Sequence, residues 1–291
     1  MIFSCTNPDQ IEGLNWLICY LGTAKHMAFY QSFLVVLTLV LVTAPLAMLF
    51  GLMAASASRS AIAVMRWPAK IYIAMVRGVP DIVFFLFVPL ALDQGIEYIR
   101  HRALCSDQTG SVWQGNDFIV CDIAKMPLSS ASAWVHDFYG FMLAVTAYAI
   151  VFGAFAGNVL AGAMAAVPHA QLETGSAYGM SRRQVYWRVL FPQMWIYALP
   201  GLSNLWVLLI KATPLLFLLG IQDIVYWARE LGSAKTSAYT YPHPDWRVWY
   251  FLALLIFYLF VTWVSERVFD RLNRRFSRGQ AVLMNSQQAG G

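Results

Sequence analysis

Residues 27–58 contain no charged side chain, and neither do residues 138–168 or 248–265. Roughly 20 apolar residues suffice to carry a helix across the hydrocarbon core of a bilayer. A chain with three such runs is therefore a membrane protein before anything else is known of it. A fourth uncharged run extends from Val189 to Ile210 and resumes beyond Lys211 as far as Gln222. A fifth carries Arg77 and Asp81 near its start and is unbroken from Ile82 to Leu92. The composition agrees: 12% of residues are charged, against about 25% in soluble domains. Membrane barrels show weak alternating segments instead of long apolar runs. The expected architecture is all-α and polytopic, with five spanning helices at about 28–55, 68–92, 138–165, 194–220 and 247–266.

The apolar patch from Leu14 to Leu21 is short and lacks a basic leader, so it does not read as a signal peptide. It reads as an interfacial helix with Trp16 and Tyr20 at headgroup level. Basic residues then set the orientation. One side collects Arg59, Arg66, Lys70, Arg77, Arg182, Arg183, Arg188, Arg267, Arg271, Arg274, Arg275 and Arg278, against only Glu173, Glu266 and Asp270. With five spans this places the N-terminus outside and the C-terminus in the cytoplasm. The pI near 9.0 follows from that asymmetry and is not a sign of nucleic-acid binding. Three regions result: an outer N-terminal segment 1–27, a transmembrane domain 28–278 with an outer insertion 93–137, and a flexible cytoplasmic tail 279–291. Cys105 and Cys121 both fall in that insertion. An oxidising periplasm permits a disulfide between them, and two free thiols are the alternative.

No phosphate-cradling loop, metal-ligand spacing or nucleophile–base constellation stands out. We expect neither a catalytic site, a metal nor a cofactor on this chain. The uncharged runs are interrupted by "AQLETGSAYGMSRRQVYWRVLFPQ", Ala170 to Gln193. It reads as a helix with Glu173 near its start, a turn at Gly179, and a second helix capped by Ser181 and ended by Pro192. A basic cytoplasmic loop explains the arginines but not the spacing.

Glu173, Gly179 six residues on, and Val189-Leu190-Phe191-Pro192 after nine more resemble the E-A-A-x-x-x-G-x9-I-x-L-P loop of permease subunits in binding-protein-dependent ABC importers. Thr174 and Gly175 stand where two Ala are usual, and Val189 and Phe191 replace Ile and Leu. "VRGVPDIVFFLF" (76–87) and "YALPGLSNLWVLLIKATPLLFLLGIQDIV" (197–225) are similar to the second and fourth spans of the polar amino acid group. Within that group the likeness is to the Q-type subunits of histidine/lysine/arginine/ornithine and opine importers, and it leaves out residues 93–137. The resemblance implies a type I importer permease in the bacterial inner membrane. It would transport a basic or opine-like amino acid. Its partners would be a dimer of ABC ATPases holding ATP and Mg, a second permease, homologous and forming a heterodimer, and a periplasmic solute-binding protein, all amid membrane lipid and without nucleic acid. The first loop helix would be the coupling helix, with Glu173, Thr174, Gly175, Ala177, Tyr178, Gly179 and Pro192 as its functional positions.

Further residues bear on the pathway. Lys211 lies deep in the fourth span beside Thr213, and an ionisable group there is either a pathway residue or a snorkelling side chain. Arg77 and Asp81 are four apart, which suggests an intrahelical ion pair, with Pro80 setting a break or helix start. Asn158 and Ala161 stand where relatives are expected to carry Glu and Arg, so this chain offers no counter-charge there. Gly153, Gly157, Ala161 and Ala165 form a small-residue stripe suited to close helix packing, either within the chain or between paired permeases. Trp206, Trp227, Trp249 and Tyr250 read as belt or core aromatics. A stand-alone secondary transporter or channel for small polar solutes is the alternative function. It would need coupling-ion carboxylates within the spans, and only Asp81 comes near that requirement.

Overall fold

The computed structural model describes residues 5, 13–105, 112–115, 117–219 and 221–277. The predicted tail 279–291 lies outside the described residues. The helices are α1 (Gly13–Leu21), α2 (Ala24–Ser58), α3 (Ala63–Gly78), α4 (Asp81–Leu104), α5 (Ala133–Ala166), α6 (His169–Ala177), α7 (Arg182–Val185), α8 (Phe191–Ala212), α9 (Ile224–Gly232) and α10 (Arg247–Ser277). Two short strands, β1 (Trp113–Gln114) and β2 (Asp117–Phe118), pair antiparallel between α4 and α5. Five helical stretches are long and apolar enough to cross a bilayer: Ala24–Ser58, Asp81–Leu104, Ala133–Ala166, Arg182–Leu216 and Arg247–Phe276.

The second span departs from the expected continuous helix over 68–92. The chain breaks after Gly78, where Val79 is extended at φ −119° and ψ 145°. A residue before proline is driven out of the helical region by the proline ring, so Pro80 ends α3 and starts α4. Asp81 then lies in the first turn of α4, where a carboxylate meets the positive end of the helix dipole.

The chain forms two compact units. One comprises the described residues within 1–42, 85–146 and 212–259, and the other those within 43–84, 147–211 and 260–291. The core of the first is Phe29, Val36, Ile224, Ala228, Leu231 and Leu254. Ile224, Ala228 and Leu231 repeat at helical spacing, so α9 buries one face and leaves Tyr226 and Arg229 exposed on the other. Asp223 caps α9, its Oδ1 accepting the Tyr226 N–H at 2.8 Å. Helix α1 is tied down by a Cys5–Cys19 disulfide with Cα atoms 5.7 Å apart. Tyr20 is 5% exposed. Its ring stacks on Trp16 and meets Trp246 edge-on. Its hydroxyl donates to Leu231 O at 3.1 Å and lies 2.8 Å from His243 Nε2. Protein aromatics receive this side chain, and burial pushes its phenol pKa up.

The insertion also belongs to this unit. Cys105 and Cys121 are bonded, with Cα atoms 6.7 Å apart. Val112, Val120 and Ala124 make a small apolar cluster beneath the hairpin. Arg100 donates to Ile123 O and Ala124 O, and Glu97 accepts the Met126 N–H at 3.1 Å. His101 Nδ1 accepts the Cys121 N–H at 3.1 Å. His101 and the two cysteines thus converge, but with the sulfurs joined they offer a metal no thiolate.

In the second unit Ala55, Ala156, Leu160, Met164, Leu190, Met194 and Ala198 form the core. The two glycines of the α5 stripe are used inside the chain, whereas Ala165 is exposed. A Cβ on Gly153 would lie 2.6 Å from Phe50 Cβ, and one on Gly157 3.0 Å from Ala54 Cβ. These two glycines let α5 and α2 approach to backbone distance, which takes them out of any contact between permeases. Tyr72 donates to Ile150 O, and Trp206 Nε1 to Ser265 Oγ at 2.8 Å.

Candidate coupling and pathway sites

The loop after the third span folds as a helix, a glycine turn and a helix. Pro168 sits at the N-cap of α6, which runs from His169 to Ala177. Glu173 is the fifth residue of α6, past the first turn, so the dipole stabilisation expected of it does not apply. At Gly179 the backbone takes φ +79°, a left-handed conformation that costs a residue with a Cβ dearly. The Met180 N–H returns to Gly175 O at 3.1 Å and closes the turn. Ser181 then opens α7 with a reciprocal cap. Its hydroxyl accepts the Gln184 N–H, and Gln184 Oε1 accepts the Ser181 N–H at 2.8 Å.

Gly175, one of the two departures from the Ala pair of the loop pattern, is buried. A Cβ there would meet Val185 Cγ2 at 3.3 Å, so the missing methyl lets α6 lie close against α7. Thr174, at the other altered position, donates its hydroxyl to Ala170 O at 2.7 Å and stays on the outer face. Leu172 packs on the core residues at the foot of the third and fourth spans. The face left over presents Glu173, Thr174, Ala177 and Tyr178, and Tyr178 is 83% exposed. Glu173 and Arg182 line a concavity of about 420 Å³ with His169, Leu172, Ser176 and Val185.

Pro192 does not end the helix, contrary to expectation. A proline inside a helix lacks an N–H and crowds the carbonyl four residues back. Here the preceding turn, Tyr186–Leu190, widens to a π conformation in which the Phe191 N–H bonds Tyr186 O. One wide turn absorbs the ring, and the helix passes unbroken from α7 into α8. The second helix of the loop and the fourth span are thus one continuous helix.

The pathway candidates separate. Arg77 and Asp81 lie on different helices, and no ion pair joins them among the described residues. Arg77 Nη1 instead donates to Asn158 Oδ1 at 2.9 Å. Arg77 and Asn158 are 81 positions apart, and no local sequence signal links them. Lys211 is exposed in the last turn of α8, where a cation suits the negative end of the helix. Thr213 is fully buried, its hydroxyl 2.9 Å from that of Tyr258. Sequence reasoning misses two features: the Cys5–Cys19 bond and the buried Asp223. An even cysteine number with two left over is the signal for the first. The cap position before "IVYWAREL" is the signal for the second.

Residues 47–278 match the family described as "Binding-protein-dependent transport system inner membrane component". The chain is similar to the histidine/lysine/arginine/ornithine transport system permease protein HisQ of Salmonella typhimurium, with 32% identity over 250 residues, covering 86% of this chain and 93% of that one. The arginine ABC transporter permease protein ArtQ of Escherichia coli K12 is 28% identical over 212 residues, covering 73% of this chain and 79% of its own. The octopine transport system permease protein OccQ of Agrobacterium tumefaciens is 28% identical over 233 residues, covering 80% and 83%. Among solved structures, an amino acid ABC transporter crystallised with histidines aligns with a TM-score of 0.59 at 19% identity, covering 88% of this chain and 98% of that one. An inward-facing methionine ABC transporter aligns with the same TM-score at 12% identity, covering 88% and 100%. At those identities the likeness is one of fold, that of an ABC transporter permease.

Proposed function

Because this chain belongs to the family of binding-protein-dependent transport system inner membrane components, we propose that it forms half of the pathway of an ATP-driven importer for basic or opine-like amino acids. The observation that supports this most is the α6 lever. A short helix is pinned by Leu172, turned by Gly179, and left with an unpartnered face of Glu173, Ala177 and Tyr178. That face suits a groove on a soluble subunit. A push on α6 would pass through the capped α7 and the π turn into α8 without a hinge. ATP and Mg would be held by the ATPase partner, and this chain would make and break no bond. The N-terminal, disulfide-bonded side would face the periplasm, where the solute-binding protein delivers its cargo.

The second permease would be a different chain. Arg77 is answered here by a neutral amide on Asn158, not by a carboxylate. A cationic solute needs a counter-charge in a low-dielectric passage, and a homologous partner with Glu at that position would supply it.

Reconstitution tests both parts. Co-expressed with the ATPase alone, the chain should co-purify with it but show no solute-stimulated hydrolysis; adding the second permease and the binding protein should restore stimulation. Uptake driven by an ion gradient with no ATPase bound would favour the secondary-transporter alternative. Full transport of a basic amino acid by a complex with this chain as its only permease would rule out the heterodimer.

A further inference from the structure

We propose that the concavity between α9 and the start of α10 is a binding site for the phosphate headgroup of an anionic membrane lipid. It goes beyond the transport reading and does not depend on which solute is carried. The concavity measures about 370 Å³ and is lined by Tyr226, Arg229, Glu230, Ser233 and Arg247. The α9 residues recur at helical spacing on the face opposite its buried one, so the fold of α9 itself gathers them.

The backbone holds the second arginine in place. A Cβ on Gly232 would lie 2.7 Å from Arg247 Cα, and the Trp246 N–H donates to Gly232 O at 2.8 Å. The end of α9 and the start of α10 therefore touch backbone to backbone. The side chain is oriented as well: Arg247 Nε donates to both Asp245 oxygens, at 3.0 and 2.9 Å, and Nη2 also donates to Asp245 Oδ2. That uses one edge of the guanidinium and leaves Nη1 without a hydrogen bond among the described residues. Arg247 holds the Asp245 pKa down to about 2, so the clamp is charged at any physiological pH.

The carboxylate lining the concavity is already neutralised. Glu230 Oε1 accepts from Lys25 at 2.9 Å and from Lys235 at 3.2 Å. Arg229 forms no ion pair among the described residues. Four cations (Lys25, Arg229, Lys235, Arg247) thus surround two carboxylates (Glu230, Asp245), leaving two positive charges unmatched. A planar guanidinium with free N–H groups matches phosphate oxygens in a way an ammonium does not.

Position selects a lipid over a free ion. Arg247 is the first residue of the fifth span. Beside it Val248 and Trp249 are 76% and 67% exposed, and Tyr226 on α9 is 40% exposed. Aromatic side chains at a span entrance mark the headgroup level. A phosphate held by Arg229 and Arg247 would let its acyl chains descend along Val248 and Trp249.

The test is native mass spectrometry of the full chain, delipidated in mild detergent and titrated with phosphatidylglycerol, phosphatidylcholine or inorganic phosphate. Wild type should retain phosphatidylglycerol in preference to phosphatidylcholine. Arg229→Gln should weaken retention about tenfold, the usual loss for a charge-assisted contact, and Arg229→Glu should abolish it. Arg229 is exposed, so both variants fold, and Arg102→Gln in the insertion is a control that should bind as wild type. Unchanged binding by Arg229→Glu, equal loss in the Arg102→Gln control, or displacement of the lipid by inorganic phosphate would each overturn the assignment.

Discussion

Replacing Asp223 by Asn should change how the stability of this chain depends on pH. Asp223 is fully buried; its Oδ1 accepts the Tyr226 N–H, while Oδ2 has no hydrogen-bond partner among the described residues. Burial raises its pKa from 3.8 to about 6, with backbone hydrogen bonds opposing the rise. For an acid with a raised folded pKa the sign is fixed. Below pH 3.8 the carboxyl is protonated folded and unfolded, and it exacts no penalty. As pH rises towards 6 the unfolded chain releases its proton while the folded chain keeps it, so stability falls. Above pH 6 the loss is complete. Each pH unit between the two pKa values costs about 1.4 kcal/mol, so roughly 3 kcal/mol is lost across that window. Asn still offers an oxygen to the Tyr226 N–H and remains a good N-cap, but it carries no charge at any pH. Unfolding midpoints in detergent should therefore converge for Asp223→Asn and wild type only at about pH 3 or below. The variant should unfold several degrees higher at about pH 7.5. Parallel pH profiles for the two proteins would show that the Asp223 carboxylate is solvated or paired, and the reasoning would fail.

Gly179→Val should force a β-branched residue into φ +79°, at a cost of roughly 1–3 kcal/mol in the turn. ATPase recovery and solute-stimulated hydrolysis should collapse while membrane insertion persists. Asn tolerates that conformation, so Gly179→Asn should restore most of the coupling, and equal defects in the two variants would point away from backbone strain. Asn158→Leu removes the acceptor for Arg77 and should lower thermal stability by about 1–2 kcal/mol, with Asn158→Asp at least as stable as wild type; a neutral Leu variant would mean that water already serves Arg77. Lys211→Met keeps length without charge, and uptake by the assembled complex should fall strongly if the ammonium lines the pathway, whereas normal uptake reduces it to a snorkelling side chain. Serine at both Cys105 and Cys121 opens a loop closed over a separation of 16 residues, worth about 3 kcal/mol in the chain-entropy view. Limited proteolysis should then cut the insertion first, and wild-type resistance would mean that its small apolar cluster suffices.

What can be read from the sequence is what depends on near neighbours or on bulk solvent. A bilayer excludes charge over tens of residues, so the uncharged runs mark the first and third spans closely, whereas the second, expected at 68–92, runs from Asp81 to Leu104. A left-handed turn needs glycine and a helix start needs a cap, so Gly179 and Ser181 carry their geometry in their identity. The burial of Tyr20 is not legible this way, because an amphipathic stretch looks the same whether its apolar face meets lipid or a protein pocket. The residues that receive Tyr20, His243 and Trp246, lie more than 220 positions away. Pro192 reads as a helix end because the rule assumes α-helical spacing, and a single π turn suspends it. Arg77 shows two rules in conflict. Spacing by four pairs it with Asp81 only if one helix contains both, yet Pro80 between them already forbids that helix by driving Val79 to an extended conformation. The proline rule rests on steric overlap and the pairing rule on a weak, solvent-screened attraction of roughly a few tenths of a kcal/mol, so sterics decide. The proline alone frees Arg77 from Asp81, but its actual partner, Asn158, becomes visible only when α3 and the C-terminal part of α5 share a unit.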